Sequence, residues 1–229
     1  IVLATSPLKT IRNKYPKAEI TFLTLDTYVS LLEYHPDIDI LISLKKNSKI
    51  YDLYKFSKFL RSINYSIIFD LHNSLRSRFI TFGLKNKVKR LTKPKLDRIL
   101  LFYFFYNRFN KNFSVLKMYH SCLGNIWNAK DKIPPSLLKL SIWEKNKSLE
   151  LLELYGISNK FFFVIIPGAA WFQKCWNKDK YIELIKRLDV PVVLLGLKSD
   201  IICFKISKKI NNVINLAGKT NLRECMSII

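Results

Sequence analysis

FFFVIIPGAAWFQKCW, residues 161–176, runs from six consecutive apolar residues into a proline, a glycine and two alanines, then sets one lysine, Lys174, between Trp171 and Trp176. Six apolar residues in a row, with neither face polar, predict a fully buried strand of a parallel sheet. The exit from that strand has two readings. One is a turn with a solvated lysine and two core tryptophans. The other is a βα junction in which Gly168, Ala169 and Ala170 are small enough for an anion to approach the main chain, with Lys174 as a point charge for it. The stretch is neither GxxxxGK followed by Ser or Thr nor GxGxxG, so its surroundings decide.

Downstream, NKDKYIELIKRL (177–188) reads as a helix, VPVVLLG (190–196) as a strand, SDIICFKISKKI (199–210) as a helix and VINLAG (213–218) as a strand, and NLRECMSII (221–229) opens another helix. Upstream the same alternation occurs. Ile1, Ala4, Leu8, Ile11 and Tyr15 share helical spacing around Pro7, and EITFLTL (19–25) and DIDILISL (37–44) flank a short helix, TYVSLLEYH. DLYKFSKFLRSI (52–63) is a basic amphipathic helix with Leu53, Phe56, Leu60 and Ile63 on one face, and it leads into YSIIFDLH (65–72), another apolar run of the buried parallel kind. Alternation of this sort predicts an α/β protein with doubly wound sheets. PPSLLKL (134–140) reads as an extended connector, followed by the helix WEKNKSLELLELYGI with Gly156 as its stop. Two Rossmann-like domains are therefore expected, residues 1–140 and 141–229, with one large sheet as the alternative.

The chain has 229 residues, is 49% hydrophobic and carries a formal net charge of +22. Between Lys45 and Lys117 stand 18 Lys or Arg residues against Asp52, Asp70 and Asp97 alone, so the positive field belongs mainly to the first half. Such a field attracts polyanions: a phosphorylated substrate, an anionic membrane face or nucleic acid. No stretch reaches the roughly 18 apolar residues that span a bilayer. Cys122, Cys175, Cys203 and Cys225 fall in no metal-ligand spacing and read as free thiols in a reducing compartment.

In a doubly wound sheet, ligands bind beyond the carboxyl ends of the strands. Four such exits carry small or polar residues: PGAAWFQK; GLKSD, where Asp200 suits a ribose; LAGKTNLRE, with Gly218, Lys219 and Thr220; and FDLHNSLRSR, with Asp70, His72, Arg76 and Arg78. The two arginines suit a carboxylate or phosphate, or else form a solvated helix face. His72 is a proton carrier or a structural residue, and His35 and His120 read as structural. LDRILLFYFFYNRFNKNFSVLKMYH (96–120) interleaves aromatics with cations: a core helix with a basic edge, or a patch resting on an anionic membrane. Nucleic acid is not expected there, since the rings are too dense for a stacking platform and no RNP or zinc-finger pattern occurs.

Taken in order, SPLKTIRNKYPKAEITFLT, FDLHNSLRSR, PGAAWFQKCWNKDKYIELI, VVLLGLKSD and INLAGKTNLRE resemble the glycosyltransferase family 9 heptosyltransferases across nearly the whole chain. The resemblance implies a GT-B fold, two Rossmann-like domains facing a central cleft. It implies an inverting, metal-independent transfer from a nucleotide sugar, typically ADP-heptose, to the lipopolysaccharide inner core, with no cofactor. Gly168, Ala169, Ala170 and Lys174 would hold the donor diphosphate, with Lys174 stabilising the leaving group. Asp200 would approach the ribose, and Gly218, Lys219 and Thr220 would line the nucleotide pocket. Asp70, His72, Arg76 and Arg78 would face an acceptor of the Kdo-lipid A type. The implied location is cytoplasmic, peripheral to the inner face of the membrane. The family places its general-base Asp just ahead of the helix that here opens IVLATSPLK, and an Asp-Ser-Gly-Pro type loop beyond the point where this chain stops. Both domains are thus expected to be incomplete, in an internal fragment that is inactive as it stands.

Overall fold

A computed structural model describes residues 1–84, 87–158 and 160–229. The chain divides into two compact units, Ile1–Lys139 and Leu140–Ile229. Within both, helices alternate with short strands, and every strand pairing among the described residues is parallel.

The first unit opens with α1 (Val2–Lys14), which contains Pro7 and begins at Ile1 without a side-chain cap. β1 (Thr21–Leu25) pairs with β2 (Ile40–Leu44) around the short α2 (Val29–Leu32). α3 (Ile50–Ile63) follows, opened by Asp52 accepting from the Lys49 N–H and closed by Asn64 in the left-handed conformation. β3 (Ile68–Asp70) pairs with β4 (Val88–Arg90) across α4 (Leu75–Ile80). α5 (Lys95–Phe104) and α6 (Val115–Ser121) complete the unit. Among the described residues the strands of this unit form two separate pairs. The strand VKR at 88–90 carries no apolar run and is invisible to a hydrophobic-pattern reading, because its place comes from backbone pairing with β3.

Buried hydroxyls tie the connector back onto α1. Ser6 Oγ donates to Pro134 O at 2.5 Å, and Thr5 Oγ1 accepts from the Leu137 N–H at 2.9 Å. His120 is fully buried, with Nε2 3.1 Å from Thr10 Oγ1 and Nδ1 2.9 Å from Leu116 O, so it joins α6 to α1. Burial holds its pKa below the usual histidine value. His35, also buried, accepts the Asp37 N–H at Nδ1. Both read as structural on this geometry.

The second unit contains α7 (Ile142–Glu153), β5 (Phe163–Ile165), α8 (Lys178–Lys186), β6 (Val192–Leu194), α9 (Ile201–Ser207), β7 (Val213–Asn215) and α10 (Leu222–Ile228). Its sheet has the order β5-β6-β7. Along β6 the side chains alternate between two cores. Val193 and Leu195 pack with Leu152, Ile157, Leu216 and Ile228, while Val192 and Leu194 pack with Ile182, Ile185, Cys203 and Ile206. Helices α7 and α10 cover one face and α8 and α9 the other, which is the doubly wound arrangement.

Two expectations fail here. FFFVII is not a fully buried strand: β5 is three residues long, its Phe163 and the neighbouring Phe161 and Ile166 are exposed, and the fully buried strand is β6. Among the described residues β5 has a hydrogen-bonded neighbour on one side only, whereas β6 is flanked on both. YSIIFDLH likewise yields only the three residues of β3, half-buried at Ile68 and Phe69, with Ile67 exposed. The four cysteines are free thiols, and burial raises Cys122 and Cys203 to about 11.

Candidate nucleotide site

Two strand exits of the second unit, those of β5 and β6, meet at Asp200, and the third is tied to them through Gly196. This residue caps α9, but its side chain turns back to accept the Leu197 N–H at 2.7 Å from Oδ2. There the carboxylate lies against two glycines. A Cβ on Gly168 would sit 2.5 Å from Asp200 Cγ, and one on Gly196 would sit 2.7 Å from Oδ2. Any side chain at either position would displace the acid. The third exit is held by Gly218, whose N–H donates to Gly196 O at 2.9 Å. Gly218 has φ +72, and a Cβ there would lie 2.7 Å from Lys198 Cβ, so both the backbone angle and the space require glycine.

Between the β6 and β7 exits opens a pocket of about 480 Å³, lined by Lys198, Asp200, Ile201, Phe204, Asn215, Ala217 and Lys219. That volume is in the range of small-molecule sites. Its wall combines an apolar pair one helical turn apart, Ile201 and Phe204, with two lysines and the acid. The sequence reading named Asp200 and Lys219 and missed the others. The available signal was α9 itself: Ile201 and Phe204 are exposed although Cys203 and Ile206 already supply the buried face, so this helix is more apolar than its packing requires.

Pro167 is buried, and Ala169 and Ala170 are exposed. Lys174 ends a 3₁₀ turn, Phe172–Lys174, with its N–H donated to Trp171 O at 2.9 Å and its side chain in solvent. Among the described residues no carboxylate pairs with it. The two tryptophans are not core residues: Trp171 is 66% and Trp176 48% exposed, the latter edge-on to Tyr181 at 5.2 Å. Lys174 does not line the 480 Å³ pocket, and neither does Thr220, whose Oγ1 lies 3.2 Å from Cys225 Sγ.

In the first unit, the β3 exit is organised from within. Asp70 is buried; its Oδ1 accepts the N–H groups of His72 and Asn73 at 3.1 and 2.7 Å, and its Oδ2 accepts Ser77 Oγ–H at 2.8 Å, with Arg90 Nε 3.8 Å away. Asp70 therefore shapes the loop, and the cations around it face outward. Arg78 Nε donates to Asn73 Oδ1 at 2.9 Å, Arg76 donates to Lys46 O at 3.0 Å, and Lys93 Nζ donates to His72 O. His72 and Arg78 are exposed and Arg76 is half-buried. This rim suits an anion.

The family model of glycosyltransferase family 9 (heptosyltransferase) matches residues 53–229. Lipopolysaccharide heptosyltransferase 3 of Escherichia coli K12 is 24% identical over 255 residues, which span all of this chain and 70% of that protein. Among solved structures, a family 9 glycosyl transferase from Veillonella parvula aligns with TM-score 0.78 at 19% identity, covering 99% of this chain and 68% of that one. The Escherichia coli ADP-heptose lipopolysaccharide heptosyltransferase II aligns with TM-score 0.74 at 22% identity, covering 99% and 72%. These alignments give the fold as the GT-B type with Rossmann-like α/β domains. With the family model running from α3 to the last residue, the chain belongs to glycosyltransferase family 9, the heptosyltransferases.

Proposed function

We propose that this protein is an inverting, metal-independent glycosyltransferase that moves heptose from ADP-heptose to the lipopolysaccharide inner core. The observation that carries the donor half is the contact of the β5 and β6 exits at Asp200, with the β7 exit tied to them at Gly196, beside an apolar and lysine-bearing pocket of nucleoside size. On this reading Ile201 and Phe204 take the base, Asp200 the ribose, and Lys198 and Lys219 flank the pocket. The main chain at Gly168, Ala169 and Ala170, with Lys174, receives the diphosphate.

In the reaction the bond from the anomeric carbon to the diphosphate oxygen breaks, and a bond to the acceptor hydroxyl oxygen forms on the opposite face. Negative charge collects on the departing ADP, where Lys174, exposed and without a carboxylate partner among the described residues, supplies a compensating charge. The hydroxyl proton goes to a general base. The acceptor lies along the cationic rim of Arg76, Arg78 and His72, whose charge fits the carboxylates and phosphates of a Kdo-lipid A type acceptor. The working location is the cytoplasmic face of the inner membrane, and no cofactor beyond the nucleotide sugar is required.

The test is a thermal-shift titration with ADP, UDP and their sugar conjugates on the native chain and on Lys174→Ala. Stabilisation by ADP species, weakened in the variant, is the expected result. Failure of every nucleotide to stabilise the chain overturns the donor assignment.

A further inference from the structure

Apolar surface and positive charge coincide on one element of the first unit that buries no residue of its own. α5 buries none of its residues, and residues 101–108 are exposed one after another. Five successive rings, Phe102 to Tyr106, stand in that run; Phe102 is 75% and Phe105 89% exposed. The rings touch each other instead of a core, as Phe102 does Tyr103 edge-on at 5.0 Å. Phe105 takes the left-handed conformation, φ 52, which turns the chain sharply and throws its ring outward. The reading of 96–120 as a core helix is thereby excluded: two helices stand there with a loop between them, and the first has no core face.

Charge frames the rings. Lys95, Arg98, Arg108, Lys111 and Lys117 stand against Asp97 alone, and only Arg108 approaches that acid, at 3.8 Å. We propose that α5 and the turn after it form a peripheral anchor lying flat in the interface of an anionic phospholipid bilayer. Successive helix residues point about 100° apart, so Leu101, Phe102, Tyr103 and Phe104 ring the end of α5 with apolar surface, and the cations that frame it suit a boundary of acyl chains and anionic headgroups. Tyr103 and Tyr106 keep hydroxyls for the headgroup level. A second copy of the chain would set five cations against five. Ten helical residues reach about 15 Å, half of a hydrocarbon core, so the element rests on the membrane, and no helix among the described residues is long and apolar enough to cross one.

The test is co-sedimentation of the chain with phosphatidylcholine vesicles, pure or containing about one third phosphatidylglycerol. The chain is expected to bind the anionic vesicles, and to release as salt rises toward 0.5 M at about the order expected for screened surface charge. Phe102→Ser with Phe105→Ser is expected to weaken binding by about tenfold or more. Lys95→Gln with Lys111→Gln should weaken it by about fivefold for each charge. All four side chains are exposed, so circular-dichroism melts should be unchanged. Equal binding to neutral vesicles, or binding by the serine variant equal to native, overturns the proposal. So does a chain that ignores vesicles but dimerises in sedimentation velocity until the two phenylalanines are replaced. The vesicles contain no nucleotide and no sugar acceptor, so the result is independent of the transferase reading.

Discussion

Gly168 and Asp200, 32 positions apart, are in contact so close that a single methyl group on the glycine would lie 2.5 Å from both Cγ and Oδ2 of the acid. The β5 exit and the start of α9 therefore share one space, and the acid is held there by the Leu197 N–H.

Gly168→Ala should expel the Asp200 carboxylate from that space. The expected stability cost is about 1–3 kcal/mol by overpacking, with a larger loss in nucleotide affinity. Gly218→Ala adds left-handed backbone strain of about 1–2 kcal/mol to its clash with Lys198. Urea denaturation and calorimetric nucleotide titration of the two variants check this. Unchanged affinity in Gly168→Ala would show that the donor lies elsewhere.

Lys174 separates binding from folding. Its side chain is exposed and makes no ion pair among the described residues, so Lys174→Ala should change stability by no more than about 0.5 kcal/mol. ADP affinity should fall by about tenfold or more, as a lost charge-assisted contact of about 1.5–3 kcal/mol requires. Parallel melts and isothermal titrations decide it. Equal losses in both would assign Lys174 a structural role.

Glu144 and Arg223 join α7 to α10 by a two-pronged contact, Nε to Oε1 at 2.6 Å and a terminal nitrogen to Oε2 at 2.5 Å. The arginine, helped by the Ser141 N–H and hydroxyl, holds the Glu144 pKa at about 2, below its ordinary 4.5. A depressed folded-state value means that the stabilisation is complete above pH 4.5 and is lost as pH falls toward 2. The pair is largely shielded from solvent, and the effect should be about 1–3 kcal/mol. Stability of native and Arg223→Met protein between pH 5 and 2.5 tests this: the variant should lose less on acidification. Parallel curves would rule out the pair as the cause.

His120 and His35 are both buried and held below the ordinary histidine pKa by desolvation. The unfolded chain takes up these protons first, so stability should fall as pH drops below about 6.5. His120→Gln, which keeps a polar side chain near Thr10, should flatten that slope. Denaturant midpoints at pH 5.5 and 7.5 give the comparison, and an unaltered slope would exclude His120.

The helices were legible because their signals are local. Gly156 sits past α7 at φ +68, Asn177 caps α8 through the Asp179 N–H, and Asn221 with Glu224 forms a box at the start of α10. The parallel character of the sheets followed from strand-helix alternation, which leaves few other connections open. In the site, the sequence pointed to Gly168, Asp200, Gly218 and Lys219 because small and charged residues stood at strand ends. It missed Ile201, Phe204 and Lys198, whose roles depend on which side of α9 the sheet already covers.

By itself, then, the sequence determined an α/β chain with two βα series, the stop of α7 at Gly156, and the exits at which a ligand could be held. Periodicity, caps and breakers act over a few residues, so they can be read in one dimension. Tertiary structure alone decided that β6 and not β5 is the buried strand, that VKR is a strand, that α5 has no core face, and that Gly168 meets Asp200 and Glu144 meets Arg223. Each of these depends on which distant segment occupies the adjacent space, and that is settled only when the sheets pair and the helices close over them.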